Sequence, residues 1–445
     1  MLLFVDVAML YLCLFLVLFI RNFAMPDIST FARHAKVFSA LFAGWIVIFY
    51  LLKLYALDVS FDSIKFARRL MLAIGISGAL SITVFYSVPS LSISPKTVLL
   101  LFVFLAYWMI LAWRRLFVKI MRYSPIKTNL GFIGCVEETA ELLDALYAQA
   151  HLGFNPVFIY DECCTKDKLE IIDKIDDPAE LKGSFDKNTI KLIVLSDKAE
   201  LSIEARRILF AQIEAGIRFM RFQDFYEMFL RRVPLGVISE AWFLERTDLQ
   251  AKQFYSAIKR AADISFAFFG LLFTMPFWPL LALSIKLSSK GPVFFKQKRL
   301  GKGNKPFVIY KFRTMRVEQN RHEPTSKNDD RITALGAFYR KTRIDEIPQL
   351  LNILKGEMSF VGPRPERPEL AAELEKAIPF YRQRHMIKPG ITGWDQVSGE
   401  YHSPSIEDTY KKLQYDLYYL KNMSLALDVS IFFKTIITVL TAAGR

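Results

Sequence analysis

The chain has 445 residues, of which 53% are hydrophobic, and a formal net charge of +14. This length suffices for two or three domains, and the apolar fraction argues against a wholly water-soluble protein and for one partly in lipid. The four cysteines show no metal-ligand spacing, which argues against a cysteine metal site and fits a reduced cytosolic setting.

Four apolar segments fill the first quarter of the chain, at about residues 1–20, 37–57, 70–88 and 97–113. Each approaches the roughly 20 residues that span ~30 Å of hydrocarbon, so residues 1–116 are predicted to form a four-helix transmembrane bundle. The first segment lacks a basic start and a cleavage site, and is predicted to be retained. Basic residues after the second and fourth segments favour cytoplasmic termini, although Arg21, Arg33 and Lys36 blur that signal. A plain membrane anchor is the alternative role.

Residues 125–250 change to short apolar runs that alternate with helical stretches, which predicts a parallel sheet with a Rossmann-like layout. A dinucleotide fingerprint would need a second glycine two residues after Gly134, where the chain has Val136. Glu137 and Glu138 then stand where a pyrophosphate would sit. This middle domain is therefore predicted to be structural or regulatory, with a working nucleotide site as the alternative.

The apolar run 264–288 is interrupted at its middle by Pro276 and Pro279, each of which removes a backbone hydrogen bond and kinks a helix. Each limb of ~12 residues reaches only about 18 Å, too short to cross a bilayer. Both flanks are basic, unlike those of a crossing helix; the basic residues are Lys259, Arg260, Lys286 and Lys290. The run is predicted to enter the inner leaflet, break and return to the same face, with a kinked spanning helix as the alternative.

Residues 286–316 carry ten basic side chains and no acidic one. Such a surface suits an anionic membrane or a diphosphate group. Nucleic acid is a competing partner for a basic chain. Because the apolar segments indicate a membrane location, lipid phosphate is the better expectation, and no nucleic-acid partner is expected.

Two adjacent carboxylates, Asp345 and Glu346, follow a basic cluster and precede Arg364, which stands between two prolines. A carboxylate is a usable nucleophile and a hard-metal ligand, and arginine binds phosphate. Five other acidic pairs occur, but only this one lies in a dense run of Arg, Pro and Gly. The context indicates phosphoryl chemistry. Pro348 close behind the pair predicts a helix from about Ile347, with the acids at its electropositive end.

Ordered motifs extend from about residue 253 to the C-terminus. They are Lys259-Arg260-x-x-Asp263, the Pro276-broken run, Ser289-Lys290-Gly291-Pro292, Lys311-Phe312-Arg313-Thr314-Met315, Asp345-Glu346-x-Pro348-Gln349, Gly362-Pro363-Arg364-Pro365 and Lys388-Pro389-Gly390-Ile391-Thr392-Gly393. This succession resembles the bacterial sugar transferase family, the polyprenyl-phosphate sugar-1-phosphate transferases or monotopic phosphoglycosyl transferases. The four apolar segments and the middle domain resemble the family's long form less specifically.

The resemblance implies a membrane α plus α/β fold, with a monotopic catalytic domain over residues 253–445 that contains the re-entrant helix 264–288 and interfacial amphipathic helices. It implies that sugar 1-phosphate passes from a UDP-sugar to undecaprenyl phosphate, releasing UMP, as the first membrane step of exopolysaccharide, capsule or O-antigen synthesis. The setting would be the cytoplasmic face of a bacterial inner membrane. A homodimer through the middle domain is also implied.

Family members need Mg²⁺ and form a covalent phosphosugar intermediate, for which the matching nucleophile is Asp345 and the matching metal-linked acid is Glu346. Adjacent helical residues point about 100° apart, which suits one nucleophile and one metal ligand better than two equivalent ligands. Four basic residues are assigned to substrate phosphate or nucleotide: Lys311, Arg313, Arg343 and Arg364. The alternative is membrane-surface contact for Lys311 and Arg313, a surface ion pair for Arg343, and a purely structural turn for Arg364.

Lys259 and Arg260 are expected at lipid phosphate, and Asp263 either pairs with Lys259 along the helix or anchors another cation. His385 and His402 each stand alone and are expected to be structural. The last helix, over residues 424–440, is too short and too charged to span and is expected at the interface.

Three other classes of protein compete with the transferase. A sugar-nucleotide dehydratase or epimerase needs an intact glycine fingerprint, which fails at Val136. A non-enzymatic scaffold or regulator of polysaccharide assembly leaves Asp345 and Glu346 unexplained. A nucleic-acid-binding protein leaves the apolar segments unexplained.

Overall fold

The computed structural model describes residues 2–52, 54–55, 61, 63–87, 96–123, 127–149, 152–162, 172–246, 252–316, 329–398 and 405–440. His402 lies outside these described residues. The chain divides into two compact units, Met1–Phe222 and Gln223–Arg445.

Four long apolar helices begin the first unit: α1 (Leu2–Asn22), α2 (Ile28–Leu51), α3 (Ile64–Ser87) and α4 (Lys96–Tyr123). Phe38 and Phe42 of α2 each place their ring centroid 5.5 Å from that of Phe102 in α4. A buried ion pair of 2.6 Å between Asp6 and Arg114 joins α1 to α4. The prediction of several apolar N-terminal helices is therefore confirmed.

Five helical stretches in the described part of the chain are long and apolar enough to cross a membrane. They are Leu2–Asn22, Ile28–Tyr50, Phe66–Ser87, Val98–Ile120 and Gln253–Ser288. Length and composition together identify a membrane protein.

A five-stranded parallel sheet flanked by helices completes the first unit. Its elements are β1 (Thr128–Ile133), α5 (Glu137–Ala148), β2 (Phe154–Tyr160), β3 (Asp173–Ile175), α6 (Pro178–Lys187), β4 (Ile190–Leu195), α7 (Ile203–Glu214) and β5 (Arg218–Arg221). The strand order is β3-β2-β1-β4-β5. The predicted parallel sheet is confirmed. Neither β3 nor α6 was predicted, and β3, with three residues, is too short to show a pattern.

The turn between β1 and α5 is closed by the chain's own side chains. Gly134 adopts a positive φ of 86°. The N–H of Cys135 donates to Asp161 Oδ2 at 2.6 Å, and the N–H of Val136 donates to Thr139 Oγ1 at 3.0 Å. Two amides that a phosphate would use in a dinucleotide fold are thus already paired.

The second unit contains a β-hairpin, a short parallel strand pair and the remaining helices. Its helices are α8 (Phe222–Leu230), α9 (Glu240–Arg246), α10 (Gln253–Thr274), α11 (Trp278–Ser288), α12 (Ala334–Thr342), α13 (Leu350–Lys355), α14 (Pro368–Ala377), α15 (Ile406–Asn422) and α16 (Leu425–Leu440). Its strands are β6 (Phe294–Leu300) and β7 (Pro306–Phe312), which are antiparallel, and β8 (Ser359–Val361) and β9 (Gly390–Thr392), which are parallel. Short 3-10 segments cover Met275–Phe277, Lys302–Asn304, Ile344–Gln349, Tyr381–Met386 and Asp395–Val397.

The segment between α8 and α9 packs within the second unit. Val233 and Leu235 of this segment, together with Trp242 of α9, share a buried cluster with Tyr381 and Leu417. The predicted middle domain, residues 125–250, includes this segment, and the predicted domain limits stay a prediction.

The side chain of Asn352 in α13 ties the helix to the hairpin. Its Nδ2 donates to the carbonyl of Val308 at 2.7 Å, and its Oδ1 accepts from the N–H of Tyr310 at 3.2 Å. Asn352 is fully buried. These bonds fix the segment that carries the two adjacent acids beside β7.

Candidate active site

Asp345 and Glu346 lie in the 3-10 segment Ile344–Gln349 and are both buried, at 8% and 7% exposure. Arg343, just before them, is left-handed, with φ 56° and ψ 19°, and ends α12. This backbone conformation is uncommon for a residue other than glycine and is typical of a constrained functional turn.

The expected helix start near Ile347 was wrong. The 3-10 segment begins at Ile344, contains both acids and gives way to the α-helix only at Leu350. Pro348 fits the first turn of an α-helix as well as a 3-10 turn, so the proline alone does not determine where the α-helix begins.

Three cations surround the Glu346 carboxylate. Lys311 Nζ donates to Oε1 at 2.8 Å and Arg343 Nη1 donates to Oε2 at 3.2 Å. Arg364 Nη2 lies 3.6 Å from Oε1. The three side chains come from β7, from the end of α12 and from the turn after β8, so the fold gathers them from separate segments. We call this group, with Asp345, the acid–cation cluster.

The charges of the acid–cation cluster reinforce one another. Burial alone would raise the pKa of Glu346, but Lys311, Arg364 and Arg343 outweigh burial and hold that pKa well below its ordinary value of 4.5. Burial lowers the pKa of Lys311, against the opposing effect of Glu346. Burial would lower the pKa of Arg364, but its attraction to Glu346, in combination with other acids, is the larger effect and raises that pKa. Glu346 is therefore ionised at neutral pH.

The three cations of the acid–cation cluster are partly exposed to solvent. Their side chains are 20% exposed at Lys311, 31% at Arg343 and 44% at Arg364. Asp345 acts electrostatically on both Lys311 and Arg364, so it lies within the same group of charges. The partly exposed cations, Arg364 above all, suit a phosphate group.

Arg313 is not brought to the acid–cation cluster. Its Nη2 donates to the carbonyl of Ser289 at 2.5 Å and lies 3.4 Å from that of Ile285, at the end of α11. Strand alternation would put Arg313 on the face of Lys311, but β7 ends at Phe312 and the alternation ends with it. A role for Arg313 at phosphate stays a prediction.

The residues assigned to lipid phosphate at the start of α10, Lys259, Arg260 and Asp263, have partners within the second unit. Lys259 Nζ lies 2.7 Å from the Asp428 carboxylate. Arg260 donates to the carbonyls of Ile353 and Leu354 at 2.6 and 2.8 Å. The Asp263 carboxylate accepts from the N–H of Phe360 at 3.1 Å. Pro276 lies in the 3-10 segment that separates α10 from α11, and Pro279 lies in the first turn of α11.

A buried ion pair between Arg384 and Asp416 was not predicted from the sequence. Arg384 Nη2 lies 2.7 Å from Asp416 Oδ2, and the side chains are 3% and 1% exposed. Nothing local in the sequence joins two residues 32 positions apart. His385 beside them is also buried, and burial, together with Arg384 and Arg382, lowers its pKa to about 4. Its imidazole is therefore neutral at pH 7.

The donor chemistry of the acid–cation cluster fits Mg²⁺. No group of three or more His, Cys, Asp and Glu that could hold a metal occurs among the described residues. Mg²⁺ does not require one, because it is commonly bound through one or two carboxylates together with substrate phosphates. The ionised Glu346 carboxylate, next to Asp345, provides such a donor.

Comparison with known proteins matches both parts of the chain to family models. A model described as bacterial sugar transferase matches residues 254–442. A model described as a CoA-binding domain matches residues 50–209.

Several curated relatives match about two fifths of the chain. One is a UDP-N-acetylgalactosamine-undecaprenyl-phosphate N-acetylgalactosaminephosphotransferase from Aeromonas hydrophila, 47% identical over 43% of this chain and 45% of the relative. Another is a UDP-glucose:undecaprenyl-phosphate glucose-1-phosphate transferase from Xanthomonas campestris pv. campestris, 46% identical over 37% of this chain and 36% of the relative. The chain thus spans less than half the length of these two relatives.

A longer match extends beyond the length of the second unit. A UDP-glucose:undecaprenyl-phosphate glucose-1-phosphate transferase from Klebsiella pneumoniae is 30% identical over 315 residues, which are 70% of this chain and 67% of the relative. A match of this extent cannot be confined to the catalytic motifs. The chain, with its apolar N-terminal helices, belongs to the bacterial sugar transferase family.

Proposed function

We propose that this protein transfers sugar 1-phosphate from a UDP-sugar to undecaprenyl phosphate, giving undecaprenyl-diphosphate-sugar and UMP. The observation that carries the proposal is the acid–cation cluster, in which two carboxylates and three phosphate-binding cations meet. The curated relatives are named for this reaction with different sugars. A non-enzymatic scaffold would not need a buried acid pair with such neighbours.

In the first half-reaction, an Asp345 carboxylate oxygen attacks the sugar-linked phosphorus of the UDP-sugar. A new oxygen–phosphorus bond forms, the bond from that phosphorus to the bridging oxygen breaks, and UMP leaves with the electron pair. In the second half-reaction, a phosphate oxygen of undecaprenyl phosphate attacks the same phosphorus and releases the Asp345 carboxylate. The covalent intermediate divides a transfer between two bulky anions into two simpler steps.

The cations of the acid–cation cluster neutralise charge on the phosphoryl oxygens. Arg364, the most exposed of the three, is best placed to meet an incoming phosphate, and its planar fork can bind two oxygens. Glu346 keeps the cations gathered before substrate arrives, and it is the residue that would hold Mg²⁺. Mg²⁺ would supply further neutralisation of phosphate charge.

We propose that α10 and α11 form a re-entrant element that enters one leaflet and returns. Arg260 near the start of α10 and Ser289 at the end of α11 both contact the body of the second unit. Between them lie exposed apolar side chains, all more than half exposed: Phe266, Phe268, Phe269, Leu272, Phe273, Met275, Phe277, Leu280 and Leu283. Lipid would cover such a surface. A Ser289→Cys variant should be labelled only from the cytoplasmic side, and labelling from outside would establish a spanning helix.

We also propose where the protein acts and what its other domains do. The four N-terminal helices would form a transmembrane bundle in the bacterial inner membrane, with the second unit on the cytoplasmic face, where UDP-sugars are available. The α/β region would be a structural or regulatory domain that supports a homodimer. The pathway would be the first membrane step of exopolysaccharide, capsule or O-antigen synthesis.

The deciding experiment measures UMP release by the purified full chain with undecaprenyl phosphate, Mg²⁺ and a panel of UDP-sugars. Asp345→Asn should abolish turnover and also abolish the labelled protein that forms from a UDP-sugar carrying label in its sugar-linked phosphate. Glu407→Gln, an exposed member of another acidic pair, is the matched control and should retain activity. Full activity of Asp345→Asn would refute the mechanism.

A further inference from the structure

Four successive carbonyls, from Pro363 to Glu366, are each bonded to a group outside the turn that carries Arg364. The donors, in order, are the N–H of Gly390 at 2.9 Å, Arg384 Nη2 at 3.1 Å, Arg299 Nη1 at 3.0 Å and the N–H of Leu300 at 2.9 Å. Two of the four donors are therefore guanidinium groups.

The turn depends on these external bonds because it contributes few donors of its own. Pro363 and Pro365 have no N–H and fix only φ, so ψ at each residue must be held from elsewhere. Glycines bring the neighbouring backbone close. A Cβ at Gly362 would lie 2.4 Å from the carbonyl oxygen of Lys388, and one at Gly390 would lie 2.2 Å from the Gly362 nitrogen.

Arg384 is held firmly and is out of reach of a substrate. It is 3% exposed, its Nη2 lies 2.7 Å from the Asp416 carboxylate, and its Nη1 donates to the Tyr381 hydroxyl at 2.7 Å. A buried guanidinium with an acidic neighbour and two hydrogen bonds, to the Tyr381 hydroxyl and the Arg364 carbonyl, has little freedom to move.

Arg299, in strand β6 of the hairpin, binds the turn through the carbonyl of Pro365. Its Nη2 donates to Gln297 Oε1 at 2.7 Å, and its Nη1 lies 3.6 Å from the Glu366 carboxylate. The next residue, Leu300, donates its backbone N–H to Glu366. The end of β6 and the Tyr381–Met386 segment thus hold the turn from two directions.

We propose that Arg384 and Arg299 are positioning residues, which set the place of the Arg364 guanidinium by fixing the backbone of its turn and do not touch substrate. This inference rests on the proposed function, in which Arg364 binds the phosphate or nucleotide of the UDP-sugar. A displacement of about 1 Å at a binding group costs up to 100-fold in rate, so the effect should be measurable.

The test is a double-mutant cycle in the full chain, with kcat/KM for the UDP-sugar read from UMP release. Arg384→Lys keeps the charge facing Asp416 but loses the fork, and should lower kcat/KM by about 10- to 100-fold. In an Arg364→Ala background the same change should cost less than about 2-fold, because the group that it positions is gone. Arg382→Lys, an exposed neighbour in the same 3-10 segment, should have no effect.

A second measurement does not depend on turnover. Amide hydrogen exchange at Leu300 and Gly390, which donate to the turn, should accelerate at least about 10-fold in Arg384→Lys. Equal costs of Arg384→Lys in both backgrounds, or unchanged exchange at both amides, would overturn the inference. If Arg384→Lys does not fold, Arg299→Lys takes its place in both measurements. Absence of UMP release by the wild-type chain would refute the proposed function, and the exchange measurement would still decide the positioning of the turn.

Discussion

Glu346→Gln should destabilise the 3-10 segment Ile344–Gln349, which carries the acids of the acid–cation cluster. The stability that Glu346 contributes to this segment, and its dependence on acid pH, should both be lost. The change keeps the shape of the side chain and removes one negative charge from among Lys311, Arg343 and Arg364. At an effective dielectric constant of about 20, each contact near 3 Å is worth roughly 5 kcal/mol before desolvation. Removing one partner of a buried ion pair costs about 3–5 kcal/mol net.

The expected cost for Glu346→Gln lies below that range, because its cations are 20%, 31% and 44% exposed and solvent screens them. We expect a loss of about 2–3 kcal/mol in the local opening free energy at pH 7. Amide hydrogen exchange of the segments 344–349 and 350–355 measures that free energy directly. Glu369→Gln, an exposed residue in the first turn of α14, is the control and should change it by less than about 0.5 kcal/mol.

The sign of the pH dependence follows from the lowered pKa of Glu346. Its stabilisation is fully present above 4.5, the ordinary value, and is lost as pH falls toward the folded-state pKa, since the opened state then binds a proton first. The difference between wild type and Glu346→Gln should therefore shrink by about 1.4 kcal/mol for each pH unit below 4.5. A difference that is absent at pH 7, or that is the same at pH 3.5 and pH 6.5, would refute the charged cluster.

Three further predictions follow from particular contacts. Arg364→Lys should lower kcat/KM for the UDP-sugar by about 10-fold or more without changing Tm, because a point charge replaces a planar fork on an exposed side chain; unchanged kcat/KM would contradict this. His385 should stay neutral down to a pKa of about 4 when measured by exchange of its ring C2 hydrogen, and a value near 6.5 would contradict its burial. Gly362→Ala should destabilise the second unit by more than about 2 kcal/mol, since a Cβ there meets backbone, whereas Gly183→Ala in α6, with open space around it, should be neutral or slightly stabilising by denaturant unfolding.

Hydropathy and proline placement predicted much of the architecture, because each is a local property. The apolar N-terminal helices required only segment length and composition, and the interruption between α10 and α11 required only Pro276. Alternation of short apolar runs with helical stretches was enough for a parallel sheet. The start of the segment that holds Asp345 and Glu346 was mispredicted, since Pro348 permits either a first α-turn or a 3-10 turn and the surrounding packing decides between them.

The contacts of the candidate site also differ in how far apart their residues lie in the sequence, and therefore in how well they could be predicted. Asp345 and Glu346 are adjacent, so the sequence alone brought them together, and the Arg343 contact with Glu346 spans only three residues. Lys311 and Arg364 reach Glu346 across 35 and 18 residues. The sequence suggested both as phosphate-binding residues, but their contacts with Glu346 depend on the tertiary fold.

Arg384 and Asp416 had no such signal, because each contributes through a partner far along the chain and neither faces solvent. The geometry of the turn around Arg364 explains why prolines and a glycine flank this arginine. Prolines remove competing donors, while glycines at 362 and 390 allow two backbones to meet closely. The resulting turn is rigid only while its carbonyls are held from outside. A substitution at Arg299 or Arg384 therefore changes the cluster without touching it, which is why a site defined by its contacting residues alone would be incomplete.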